Sequence, residues 1–199
     1  MAIKFERDVF PGNMDPFWRK EVQMLPGGFS MKQTFPVGEV IERGAFVAVD
    51  YSDMSAAIVK VGKVLTGGTT TAARVSKKNN FCVGDTVMKI GAEISTTIKS
   101  IDRSNAEYDV VTFAAAITGL AEGDFVQEAD SSGDANKAKY VANAVLGVDL
   151  EIKKSGLPTI DAAYGAILLK DVCSPFPASW LAENGFCLAT NHNILFIKQ

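Results

Sequence analysis

The chain has 199 residues, 47% hydrophobic and 22% charged, with a net charge of −3 and a pI near 5.2. That length holds one ordinary domain or two small ones with an arm, and the composition is globular rather than disordered. It excludes the basic footprint of a nucleic-acid binder, which needs clustered Lys and Arg to release phosphate counterions; the longest basic runs are pairs, and Lys77-Lys78 and Lys153-Lys154 are read as solvated turns.

No stretch approaches the ~20 apolar residues of a membrane-crossing helix. The opening MAIKFERDVF lacks a basic start followed by an apolar run, so no secretory signal is expected. Cys82, Cys173 and Cys187 are odd in number, widely spaced and free of any CxxC pair. They read as free thiols in a reducing cytoplasm, not as a disulfide framework or a zinc site.

Residues 1–36 read as an extended N-terminal arm. Pro11, Pro16, Pro26 and Pro36 break regular structure every few residues. The same stretch carries Phe5, Phe10, Phe17, Trp18, Phe29 and Phe35, and a disordered tail would be poor in aromatics. Such an arm needs a surface to lie on, either its own body or a neighbouring subunit. Asp15 as cap and Pro16 at the first helical position predict a short helix over 15–23.

From 37 to 199 the pattern is a β-rich body of short strands. Strands are predicted at 40–41, 45–51, 57–65, 71–75, 86–90, 92–101, 108–113, 125–127, 140–148, 163–172 and 194–198. The clearest runs from Ala92 to Lys99: Ala92, Ile94, Thr96 and Ile98 face one way, and Glu93, Ser95, Thr97 and Lys99 the other. Period two with β-branched residues marks a half-buried strand. One short C-terminal helix is predicted at 177–183, with Pro177 first and Asn184-Gly185 as its stop. The fold class is therefore mainly β: a small barrel or sandwich of short antiparallel strands.

A local figure recurs in Val37-Gly38-Glu39, Val83-Gly84-Asp85 and Glu122-Gly123-Asp124. Glycine plus an acid turns the chain into a new strand each time, and the reading is a reused turn rather than a threefold acidic site. The segment 81–129, turning at Ser104-Asn105-Ala106, is a candidate small β-barrel.

The chain offers little to build chemistry from. His192 is the single histidine and reads as an exposed turn residue. Thr66 to Thr71 lacks the lysine and the spacing of a phosphate-binding loop. Asp130 to Asp134 lacks the spacing and distal glutamate of a calcium loop. Glu107 and Asp109 would share a strand face, but nothing near them suggests a cleft. The expectation is a non-enzymatic protein with no cofactor, no metal and no membrane partner.

The order of motifs over about 35–199 resembles the phage head fibre protein family of Bacteroidota tailed phages and prophages. It is carried by Val83-Gly84-Asp85-Thr86-Val87, the run from Ile101 to Val110, Ile117 to Asp124, Tyr140 to Gly147, Leu169 to Val172, Pro177 to Leu181 and the ending Ile194 to Gln199. The resemblance implies a non-enzymatic virion structural protein, a head fibre or capsid decoration protein. It would be made in the bacterial host cytoplasm and held on the outer capsid surface by the major capsid protein. It also implies a homo-oligomer, commonly a trimer, and no catalytic residues. Phe10, Phe17 and Trp18 are the docking anchors expected of the arm, because aromatic side chains dominate interface energetics. The alternative from another class is a small-barrel module binding carbohydrate or a host surface.

Overall fold

The computed structural model describes residues 15–18, 22–25, 28–156 and 158–198. It is mainly β, as the sequence predicts, and is built from a closed barrel, a larger open sheet and a two-stranded pair. Ahead of the barrel lie β1 (Gln23–Met24), β2 (Phe29–Met31), β3 (Val40–Ile41), β4 (Phe46–Asp50) and β5 (Ser55–Ile58). Next come β6 (Val61–Leu65), β7 (Ala72–Ser76), β8 (Thr86–Lys89), β9 (Ser95–Asp102), β10 (Tyr108–Phe113) and β11 (Phe125–Glu128). The chain then makes β12 (Ala144–Leu146), β13 (Leu150–Glu151), β14 (Thr159–Ile160), β15 (Ala162–Leu169), β16 (Cys187–Leu188) and β17 (Asn191–Ile197).

Strands β6 to β11 close into an antiparallel barrel in the order β10-β7-β6-β11-β8-β9. The remaining strands form a nine-stranded sheet, β14-β2-β5-β4-β12-β15-β17-β16 with β1 on β15, plus a β13–β3 pair. The barrel is thus an insertion: the chain leaves the sheet after β5 and returns at β12, and both of these strands pair with β4. The expected barrel of 81–129 misses β6 and β7, which closure requires. The predicted strand over 57–65 is two strands, because the chain turns out of the sheet at Val59-Lys60.

Alternation explains why both faces stay dry at the centre of the sheet. Along β4, Phe46 packs into one apolar cluster with Leu168, Phe176, Ile194 and Phe196, while Val47 and Val49 enter a second with Phe29, Ile41, Ile58 and Ile160. In β12, Val145 joins the first cluster and Ala144 and Leu146 the second. A sheet covered on both faces reads as a nearly continuous apolar run. A third cluster of Val64, Val75, Phe81, Val87, Ile98, Val111 and Val126 fills the barrel. Gly62 is demanded by that packing, since a Cβ there would stand 2.3 Å from Val75 Cγ1.

The described parts of the arm belong to the protein's own sheet. Phe17 bridges Leu168, Gln23 and Met24 pair with Gly165 and Ala163, and Phe29–Met31 lies between β14 and β5. The helix predicted over 15–23 is absent from the described residues of that stretch. β15 presents backbone groups that Trp18 N–H and Pro16 C=O satisfy at 2.9 and 2.7 Å, so pairing wins over helix propensity. The C-terminal helix shrinks to a single 3-10 turn at Ala178–Trp180. Leu181 is already extended and bridges Leu188, and Asn184-Gly185 turns the chain into β16 instead of stopping a helix.

Candidate functional site

The repeated glycine-acid turn organises the charged chemistry. Gly38, Gly84 and Gly123 take φ of +88°, +93° and +87°, the left-handed region that favours glycine. In each copy the acid's N–H closes the turn onto the carbonyl three residues back: Glu39 on Pro36, Asp85 on Cys82, Asp124 on Ala121. Each acid then meets a cation from elsewhere: Arg103 at 3.0 Å for Glu39, Lys60 at 2.8 Å for Asp85, Lys89 at 2.7 Å for Asp124. Pairing with Lys89 holds the Asp124 carboxyl below the usual carboxylate range.

Two of these pairs join the barrel to the sheet. At the neck, Lys60 Nζ lies 2.8 Å from both carboxylate oxygens of Asp85 and 4.7 Å from the Phe35 ring centroid. Asp85 Oδ2 also accepts the Cys82 N–H at 2.7 Å. The Lys60 side chain is 3% exposed and that of Asp85 12%. Beside them Glu128, also buried, accepts from Lys139 at 2.6 Å and from Gln33 at 3.2 Å. Gln33 in turn bonds both the N–H and the C=O of Ile58. Burial works against the Lys139 ammonium, but its hydrogen bond and attraction to Glu128 outweigh this and raise its pKa above the ordinary lysine value. Burial likewise pushes the Cys82 thiol up.

A second junction surrounds a cleft of about 440 Å³ lined from both parts. Asp109 points inward from β10 and is buried. It accepts from Lys77 at 2.5 Å and from Asn79 at 2.8 Å. Arg103 bonds Glu39 and donates to the Phe81 carbonyl at 2.7 Å. Lys78 contacts Glu42 at 3.0 Å and donates to the Val172 carbonyl at 3.0 Å. Lys78 and Asn80 adopt φ of +61° and +59°, uncommon for residues other than glycine, and the tight turn aims Lys78 across the cleft. The pair Lys77-Lys78 is therefore a turn, but a clasp rather than a solvated one. All three cations of the cleft are matched by carboxylates.

The remaining sequence candidates separate. Glu107 stays exposed and does not join Asp109. Thr66 to Thr71 forms the β6–β7 hairpin, where Thr69 Oγ1 accepts the Ala72 N–H. The Asp130 loop is closed by Asn136, which donates to Glu93 and Ser95, and by Lys137 N–H on Asp130. Among the described residues no three His, Cys, Asp or Glu side chains are grouped to hold a metal ion, and no helix is long and apolar enough to cross a membrane. Cys82, Cys173 and Cys187 are free thiols. Of the three docking anchors, Phe10 lies outside the described residues. Phe17 is packed in the protein's own core, which withdraws it from docking in this conformation, whereas Trp18 is 44% exposed. His192 is exposed at the start of β17, in a groove whose lining contains no carboxylate.

Sequence reasoning missed Lys60 and Asp85 as a unit. The available signal was Lys60 interrupting the apolar run from Ala56 to Val61. No protein-family model matches the chain, and no curated protein or solved structure matches it either.

Proposed function

We propose that this chain is a non-enzymatic virion structural protein, a head fibre or decoration protein on the outer surface of a phage capsid. The observation that supports this reading best is where the charge goes. Lys60, Lys78 and Arg103 are used to lock an inserted barrel onto a sheet, an arrangement that serves a rigid attachment body. The arm fits the same role. Phe17, Gln23 and Met24 are stitched along β15, and Phe5 and Phe10 precede them in the sequence. Phe10 and Trp18 are the anchors for the major capsid protein, and association into a homotrimer would match a capsid symmetry axis.

The deciding experiment is mass spectrometry of virions purified from the phage or prophage that encodes the chain, before and after mild protease treatment. The reading expects the protein in intact virions, accessible from outside, and lost when residues 1–14 are deleted. Absence from purified virions would overturn it. Light scattering on the purified protein tests the trimer separately.

A further inference from the structure

A groove of about 350 Å³ runs over the outer face of β15 and β17, away from both charged junctions. Its lining includes Gln23, Gly165, Ile167, His192, Asn193 and Leu195. None of these carries a formal charge when the histidine is neutral. The floor is apolar: Ile167 and Leu195 are register partners in the parallel β15–β17 pair. Trp18 extends the same row. The antiparallel bridge Phe17↔Leu168 sets Trp18 opposite Ile167, and the Trp18 N–H donates to the Ile167 carbonyl at 2.9 Å. Phe17 and Leu168 both enter the interior cluster, so alternation turns Trp18 and Ile167 outward.

The polar groups on this floor are unspent. Among the described residues, no intramolecular hydrogen bond or ion pair engages the side chains of Gln23, His192 or Asn193. They are also held in place. Asn191 donates to the carbonyls of Asn143 and Tyr164 at 2.8 and 3.0 Å and accepts the Asn193 N–H at 3.1 Å, which fixes the start of β17. Gly165 leaves the space that Gln23 fills, since a Cβ there would lie 2.5 Å from Gln23 Oε1. The groove thus combines an apolar floor, two primary amides and an imidazole, with a half-exposed indole opposite Ile167 at its margin, and none of its described lining residues is a carboxylate, lysine or arginine.

We infer that this groove binds a neutral saccharide. A sugar ring has one apolar face, which suits an indole and aliphatic floor, and a rim of hydroxyls that both donate and accept. Amide and imidazole side chains also do both. An anionic or cationic ligand would find no carboxylate, lysine or arginine among the described lining residues. The groove lies at the small end of ordinary ligand sites and sits on the sheet rather than on the barrel. It does not depend on the virion assignment, and it takes Trp18 for the sugar, which leaves the residues before Asp15 to reach a capsid.

The test is calorimetric titration of the full chain with short soluble oligomers of glucose, mannose, galactose and N-acetylglucosamine, with a sulfated oligosaccharide as the charged control. The inference expects one neutral oligomer to bind, and both Trp18→Ala and Asn193→Ala to weaken it by about tenfold or more. Gly165→Ala should weaken it too, by displacing Gln23. Trp18 and Asn193 are exposed, so their variants should keep the wild-type melting temperature, which separates loss of the site from loss of the fold. Binding of the sulfated control alone, affinity unchanged by the three substitutions, or no binding to any neutral oligomer would each overturn it.

Discussion

Replacing Lys60 with methionine removes one half of the neck pair while keeping most of its volume. At 2.8 Å and an effective dielectric constant of about 20, the gross attraction is about 6 kcal/mol. Withdrawing both ions from water costs several kcal/mol each, so the intact pair contributes little net stability. Breaking it is different. Asp85 would remain 12% exposed with only the Cys82 N–H as partner, and an uncompensated buried charge costs about 3–5 kcal/mol. Asp85→Leu alone should cost as much, by stranding the ammonium over Phe35. The double variant Lys60→Met/Asp85→Leu should lie within about 1 kcal/mol of wild type, giving a coupling of several kcal/mol. Guanidinium denaturation followed by both circular dichroism and tryptophan fluorescence measures this, with coincident transitions required before free energies are compared. Each single cost should also persist at high salt, which screens buried pairs weakly. Additive singles, or a double variant as unstable as their sum, would refute the view that these two charges exist for each other.

Phe46→Ala should cost about 3–5 kcal/mol in the same assay, because Phe46 is fully buried with Phe176, Trp180 and Phe196 rings 5.2, 5.3 and 6.0 Å away; Trp180 emission should shift. Gly62→Ala should cost about 1–3 kcal/mol by overpacking against Val75, where a surface glycine such as Gly91, with open space around its Cβ, would lose only its backbone preference. Burial pushes the Cys173 thiol up to about 12 from an ordinary 9.0. The folded state therefore keeps that proton while the unfolded chain releases it. The stabilisation is complete below about pH 9 and lost as pH rises towards 12, seen as a falling denaturation midpoint whose slope Cys173→Ala reduces. The clasp pair Arg103–Glu39 is partly exposed, at 41% and 27%, so Glu39→Gln should cost no more than about 1 kcal/mol, and less in high salt.

Strand periodicity was legible because it is local. Thr96 and Ile98 turn inward and Lys99 outward as the alternation requires, although the strand begins only at Ser95 and Ile94, expected on the buried face, is exposed; 108–113 is a strand over its full expected length. The three glycine-acid turns were legible for the same reason, since positive φ and a closing hydrogen bond involve only four neighbours. Elements whose fate rests on a distant partner were not. Asp15 and Pro16 carry a helix start, yet β15 offers unpaired backbone there, and a strand far away in sequence decides the outcome. The 177–183 segment lost its helix to the bridge between Leu181 and Leu188. The sites divide in the same way. Each acid of Glu39, Asp85 and Asp124 could be placed in its turn by sequence alone, but not the cation it meets, because Lys60, Lys89 and Arg103 come from elsewhere in the chain. The sequence by itself determined which residues alternate, where the chain bends and that the fold is mainly β, all consequences of short-range sterics and hydrophobic period. Only the tertiary structure decided that β6 and β7 complete the barrel, that the barrel interrupts a sheet, and that Trp18 stands beside Ile167. Those depend on long-range pairing, whose free energy is gained only when segments far apart in the chain bury their surfaces together.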